Sequence, residues 1–241
     1  MLKFIPAHQL KKVFEVFGHF YSVNLISGEK IDCRSVLEIV AKHEKPSDIQ
    51  GLLEASPDAI FIMMNPGSSR PLVEVNNLIS EYSINQLVVS LVPTKPDTTQ
   101  YQVMRVMHYC GWKHVRVLNI SDMRDPESGS FVGRYSHMEK ETGFSAHSLF
   151  SDCRSVEFRH RINRKPDAPV VCAWGVSPDL DPLIERCLTM VAGTVGLTGL
   201  KKPSTENKYF HPLQKLQKDK ELWVTNLVAH ISPNQALERC V

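Results

Sequence analysis

No apolar run in this chain approaches the roughly 18 to 20 residues that a membrane-spanning helix needs, the longest being Ala59 to Met64 and Leu87 to Val92. The start, MLKFIPAHQLKK, lacks the apolar core and small-residue cleavage site of a secretory signal, so the cytoplasm is the expected compartment. The six cysteines (33, 110, 153, 172, 187 and 240) form no C-x-x-C and no Cys/His pair at zinc-ligand spacing. They read as reduced thiols, and Cys110, Cys172 and Cys187 lie in apolar segments that look like core. G-x-S-x-G, H-E-x-x-H and the phosphate-loop pattern G-x-x-x-x-G-K-[ST] are all missing. Gly193, Gly196 and Gly199 follow a helical segment rather than opening one, which argues against a dinucleotide site. Asp122 and Asp125 lie among turn formers with no third convergent ligand, so neither a metal nor a cofactor is expected.

What is present is the composition of a globular chain: 241 residues, 42% hydrophobic and 22% charged. The net charge is only +2, yet it is unevenly spread. Arg154 to Lys165 carries five cations against Glu157, and Lys201 to Lys220 carries six against Glu206 and Asp219, so each segment is +4 and the remainder −6. Two basic segments on a mildly acidic body suit an anion such as a nucleic-acid backbone, although solvated loops would look the same.

Periodicity supplies the organisation. Leu10, Val13, Phe14 and Phe17 recur at helical spacing, with Gly18 placed to end the helix. A hairpin follows around Ser27-Gly28, from Tyr21–Ile26 to Lys30–Cys33, and Ser35 is placed to cap a helix from Val36 to Lys42. Residues 1–55 thus read as an appendage to an α/β domain spanning 56–241. From Ala59 onward, short apolar runs (Ala59–Met64, Leu87–Leu91, Val115–Leu118, Val170–Ala173 and Thr194–Leu200) alternate with helical segments at Leu72–Tyr82, Thr98–Cys110 and Asp181–Val191. That alternation predicts a three-layer αβα fold with a central, mostly parallel sheet of four to five strands. Asp122 to Arg164 shows no strong period. Ligands of such folds bind beyond the carboxyl ends of the strands.

At those ends stand Asn65-Pro66-Gly67-Ser68-Ser69, Asn119, Trp174-Gly175 and, late in the chain, His211-Pro212-Leu213. Each alone reads as a turn, a packing residue or a structural histidine. Together, strand–Asn-Pro-Gly, strand–Leu118-Asn119, strand–Trp174-Gly175 and His211-Pro212 resemble, in order, the blocks of the uracil-DNA glycosylase superfamily. They are also similar to an uncharacterised family with M-L-N-P-S, P-T, W-G and H-P-L, through Met64-Asn65-Pro66, Pro93-Thr94, Trp174-Gly175 and His211-Pro212-Leu213. The resemblance covers residues 58 to 216 or so and leaves the amino-terminal segment outside.

The resemblance implies a monofunctional glycosylase that flips out a base and cleaves its N-glycosidic bond with water, needing no cofactor. Asn65 would orient the water, since an amide is no strong base, and His211 would donate to the pyrimidine O2 as charge develops on the leaving base. Pro66 and Gly67 would line the base pocket. Asn119 would read the base edge of either uracil or cytosine, because an amide offers donor and acceptor in either orientation. Where the superfamily's GQDPYH version has Tyr, Gly67 has no side chain, which suggests room for a C5-modified pyrimidine, such as glucosylated hydroxymethylcytosine of phage DNA. The role would then be repair or antiviral defence. Tyr101 and Tyr82 are candidates to stack on the base, and Leu213 or Leu216 to wedge into the duplex, where the resemblance's leucine position is Lys215. Ser68 and Ser69, ahead of the helix expected from Leu72, together with Arg159, Arg161, Lys201, Lys202 and Lys215, would hold DNA phosphates. The expected partner is DNA, bound by a monomer away from any membrane. Two alternatives stand beside this reading: a module that binds modified bases without excising them, and an enzyme acting on free nucleosides or nucleotides.

Overall fold

The computed structural model describes residues 1–193 and 196–232. Nine strands are found among them: β1 (Phe14–Asn24), β2 (Lys30–Ala41), β3 (Ala59–Met63), β4 (Arg70–Pro71), β5 (Leu78–Ser80), β6 (Val92–Lys95), β7 (His114–Asn119), β8 (Val170–Ala173) and β9 (Leu197–Thr198). The α-helices are α1 (Ala7–Val13), α2 (Thr98–Cys110), α3 (Ser128–Thr142), α4 (Ser155–Arg161), α5 (Asp181–Met190) and α6 (Gln217–Ile231). The strands lie in the order β4-β6-β1-β2-β7-β3-β8-β9, with β5 alongside β1. Side chains of α1, α2 and α6 (Leu10, Val103, Trp223) pack on one face, and those of α3 and α5 (Phe131, Leu183) on the other. No helix among the described residues is long and apolar enough to cross a membrane.

The α/β class is as expected, and β7, β3, β8 and β9 form a contiguous parallel block. Every residue of β3 and β8 is buried, which explains their unbroken apolar runs. The sheet as a whole, however, is mixed rather than mostly parallel. The difference comes from the antiparallel β4–β6 pair and, inside the sheet, from residues 1–55, read as an appendage. Their β1–β2 hairpin is antiparallel, and β2 pairs antiparallel with β7 through Leu37–Val117 and Ile39–Val115, so the hairpin lies inside the sheet.

One expected helix is a strand in its second half, and another is a strand in all but its last residue. Only Ala7–Val13 is helical near the start, Phe14 already being extended, and Val36 to Ala41 belongs to β2. A central strand is buried on both faces: Leu37 and Ile39 face one core, Val36 and Val40 the other. Apolar residues on both faces erase the period-two signal, and an apparent helical spacing remains. Gly18, expected as a helix stop, sits within β1.

Leu72 to Tyr82 is not helical either: Leu72 and Val73 are exposed, and the segment runs along the sheet edge into β5. Leu87–Leu91 is no strand, because Gln50 occupies its backbone, donating to Leu91 O at 3.0 Å and accepting from Leu91 N at 2.8 Å. α2 falls where expected, begun by an Asp97–Gln100 capping box and ended by Gly111 in the left-handed conformation. Of the expected Thr194–Leu200 strand only Leu197–Thr198 is extended, and residues 194–195 fall outside the described ones. Cys33, Cys110, Cys172 and Cys187 are buried, and Cys153 is exposed.

Candidate active site

The carboxyl ends of β3 and β7 open onto a cavity of about 220 Å³. Its wall includes Asn65, Pro66, Gly67, Asn119 and His211, so the three chemical residues of the sequence reading converge from three distant stretches. Met63 and Asn119 are register partners in the β3–β7 ladder, which fixes the first two blocks side by side. The volume lies below the ~300–1,000 Å³ typical of drug-sized ligand sites, and suits a single ring rather than a whole nucleotide.

The cavity floor holds a residue the sequence reading missed. Arg34, on β2, is 1% exposed and donates through one terminal nitrogen to Asn119 Oδ1 at 2.9 Å, and through the other to Pro66 O at 3.3 Å and to Ser69 Oγ. Two features of β2 bring it there. Ser35 is an extra residue in the ladder, since His19 pairs with Val36 and Phe20 with Arg34, and such a bulge re-aims the neighbouring side chain. At the same point β2 parts from β7 and pairs instead with the loop beyond it, Arg34 N donating to Asp122 O at 2.8 Å. Burial lowers the Arg34 pKa to about 10, which leaves the guanidinium charged at neutral pH.

Arg34 settles the orientation of Asn119. With Oδ1 accepting from the guanidinium, the amide nitrogen is the atom left for a ligand, and it is buried without a hydrogen-bond partner among the described residues. Arg34 Nε is likewise buried and without a hydrogen-bond partner among the described residues. Buried donors without acceptors are costly, and acceptor oxygens of a bound molecule would satisfy these two.

Asn65 is oriented the opposite way. Its Nδ2 donates to Asp125 O at 2.7 Å and to Met123 O at 3.4 Å, which leaves Oδ1 as an acceptor toward the cavity. Beside it stands a carboxylate that no motif announced. Asp97 caps α2 through Oδ1, which accepts from Thr99 N and Gln100 N, while Oδ2 has no hydrogen-bond partner among the described residues. A Cβ on Gly67 would lie 3.1 Å from Asp97 Oδ2, and Gly67 has φ +63°. Gly67 thus serves a left-handed turn and a close approach to Asp97, and the space it leaves is bounded by that carboxylate.

Trp174-Gly175 does not touch the cavity. Trp174 is fully buried and donates through Nε1 to Asn207 O at 2.8 Å, while Gly175 N donates to Tyr209 O at 2.9 Å. The pair therefore anchors the loop that carries His211, assisted by Trp223 of α6, whose Nε1 donates to Phe210 O at 2.9 Å. The His211 ring accepts at Nδ1 from Leu213 N at 3.1 Å, and burial lowers its pKa to about 4. At neutral pH the ring is uncharged with its hydrogen on Nε2, a donor for the cavity.

The remaining expected residues are dispersed. Ser69 is 1% exposed and satisfied by Arg34, and no helix follows it, so the expected phosphate cradle at a helix start is not formed; Ser68 is exposed on the cavity rim. Leu213 lines the cavity, whereas Leu216 is exposed outside it. Tyr101 faces an adjoining groove, Tyr82 is 72% exposed elsewhere, and no phenyl, phenol or indole ring lines the cavity among the described residues, where Met63 and Met64 supply the apolar wall. Lys201, Lys202 and Lys215 are exposed on loops flanking His211, Lys201 bridging to Tyr209. Arg159 lines a different cavity together with Lys165, whose partner Asp58 immediately precedes β3, at the end of the sheet opposite the candidate site. Arg161 is 7% exposed beside Arg116, which binds Glu38 in the core. Asp122 is buried against Tyr21 and Arg154; Asp125 does line the cavity, its carboxylate accepting from Glu127 N, Ser130 Oγ and Arg134.

Comparison of the chain with protein-family models, curated proteins and solved structures found no match.

Proposed function

We propose that this chain is a monofunctional DNA glycosylase that hydrolytically excises a damaged or modified pyrimidine, with the finer fold a uracil-DNA-glycosylase-like one. The observation that carries the reading is the convergence of Asn65, Asn119 and His211 on one ring-sized cavity, with their polar atoms turned to complementary tasks. Cleavage makes the base an anion and the sugar cationic. Asn119 Nδ2 and His211 Nε2 are donors placed to hold the oxygens of the departing base, and the buried Arg34 charge lies behind Asn119. Asn65 Oδ1 accepts a hydrogen from the attacking water. The unpartnered Asp97 Oδ2 opposes the charge at C1′ and takes up the water's proton as its oxygen bonds to C1′. The C1′–N1 electron pair leaves with the base.

A pyrimidine with a small C5 substituent matches the cavity volume, and a hexose at C5 would extend through the mouth. DNA containing uracil, thymine, hydroxymethylcytosine or its glucosylated form, treated with the protein and then with alkali, breaks at abasic sites if the reading is right. Asn65→Ala removes the water's acceptor and lowers turnover by about 100-fold or more. Absence of breaks on every substrate, with DNA binding intact, would favour a module that recognises modified bases without excising them.

A further inference from the structure

We propose that the groove lined by Lys11, Arg70 and Lys95 is the track on which the target DNA strand lies as its base enters the cavity. The inference rests on the glycosylase reading and adds a binding surface to it. The groove, of about 480 Å³, shares Ser68, Asp97 and Thr98 with the cavity wall, so the two are continuous. Its cations come from three elements: Lys11 from α1, Arg70 from β4 and Lys95 from β6.

Arg70 and Lys95 are directly opposite each other in the antiparallel β4–β6 pair. Like charges facing across a ladder repel, and none of the three cations has a carboxylate partner among the described residues. An anion between the strands relieves that repulsion, and a phosphodiester backbone leading into the cavity is the anion this position fits. The acid in the groove wall, Asp97, is held at the cavity side by its cap bonds to α2. Past Lys11 and Lys95 the surface continues by Lys42 and Lys45, where Glu15 is paired with Lys45 at 2.9 Å and Glu44 lies beside His43. The basic segment at 154–165 has no such connection to the cavity, since its Arg159 and Lys165 line the opposite end of the sheet.

The test uses full-length protein carrying Asn65→Ala, so that the DNA is not turned over, and a labelled single-stranded oligonucleotide containing hydroxymethylcytosine, titrated across a salt series. Lys11→Gln/Arg70→Gln/Lys95→Gln is expected to weaken binding about tenfold or more at 0.1 M salt. It also flattens the slope of log Kd against log salt by about 2, at ~0.7 per lost phosphate contact. Arg159→Gln/Lys165→Gln leaves both unchanged. Lys95→Glu separates binding from folding: placed opposite Arg70 it turns repulsion into attraction, so the melting temperature holds or rises while DNA affinity falls. Equal affinity and slope for the triple variant and its parent would overturn the track. Base release by the otherwise unmutated protein in that case would leave the glycosylase reading standing. Groove-dependent binding with no base release from any substrate would sustain the track and overturn the glycosylase reading.

Discussion

Arg34 is the residue on which the site turns. Its guanidinium fixes which atom Asn119 offers and ties the Asn-Pro-Gly turn to the end of β7 in one network. Arg34→Met strips donors from the buried Asn119 Oδ1 and from Pro66 O, and each unsatisfied group costs ~1–3 kcal/mol. The expected outcome is a clear drop in melting temperature with loss of base release. Arg34→Lys keeps the charge without the fork that reaches three acceptors, and recovers stability better than activity. Equal melting temperatures for wild type and Arg34→Met would refute that network. His211 has a pH signature: unfolded it titrates near 6.5, folded near 4, so between those values the unfolded chain binds more protons. Its contribution to stability is complete above pH 6.5 and lost as pH falls through 4. Protonation also places a hydrogen on Nδ1, against Leu213 N–H. Turnover is therefore flat from pH 6 to 8 and declines toward pH 4; an inflection near 6.5 in a kcat profile would mean the ring is not held neutral. Nothing in the sequence marks Arg34, because its role depends on a bulge at Ser35 and on β2, distant in sequence from the motif blocks, pairing with β7.

At the scale of elements, the parallel strands were the legible part. β3, β7 and β8 are marked by apolar runs buried on both faces, and the residues just past β3 and the last residue of β7 line the cavity. The turn and inner halves of the hairpin around Ser27-Gly28 are also legible, but its outer half Val36–Ala41 reads as a helix because burial of both faces removes the period-two signal. Asp97 was hidden in another way, since a helix cap and a site carboxylate look identical in sequence. Trp174-Gly175 was recognised for its order in the chain, but its task is to anchor the His211 loop. Trp174→Phe deletes the Nε1–H bond to Asn207 O, a loss of ~1 kcal/mol, and lets that loop drift. Base release should fall by more than stability does, with KM less affected than kcat. Gly199→Ala is harsher. At φ +150° its Cβ would sit 2.4 Å from Cys172 O and 2.7 Å from Tyr209, which pushes β9 and the His211 loop off β8. A Gly199→Ala protein with wild-type activity would contradict that packing.

For the molecule as a whole, the amino-terminal 55 residues are structural. β2 covers the edge of β7 and supplies Arg34, while β1 bridges β2 to β5 and β6. A fragment starting at residue 56 would expose the β7 edge and the apolar faces against which Leu37, Ile39, Val36 and Val40 pack. It is expected to aggregate or remain unfolded by circular dichroism; a monomeric, cooperatively melting fragment would show that the hairpin is dispensable. The hairpin's neighbours bring Lys11, Arg70 and Lys95 to a groove adjoining the cavity, whereas the segment around Arg159 faces away. Charge runs in the sequence therefore pointed partly to the wrong end of the sheet, because cations close in sequence need not face the site, and the groove cations are scattered along the chain.

The most direct measurement is mass-spectrometric detection of free base released from oligonucleotides that each carry one pyrimidine, unmodified or C5-substituted, by wild-type protein, Asn65→Ala and His211→Ala. Release of one base by the wild type, with an abasic strand of matching yield and at least about a 100-fold loss in both folded variants, is the predicted result. Intact oligonucleotides throughout, or release undiminished in both variants, would contradict a glycosylase centred on this cavity.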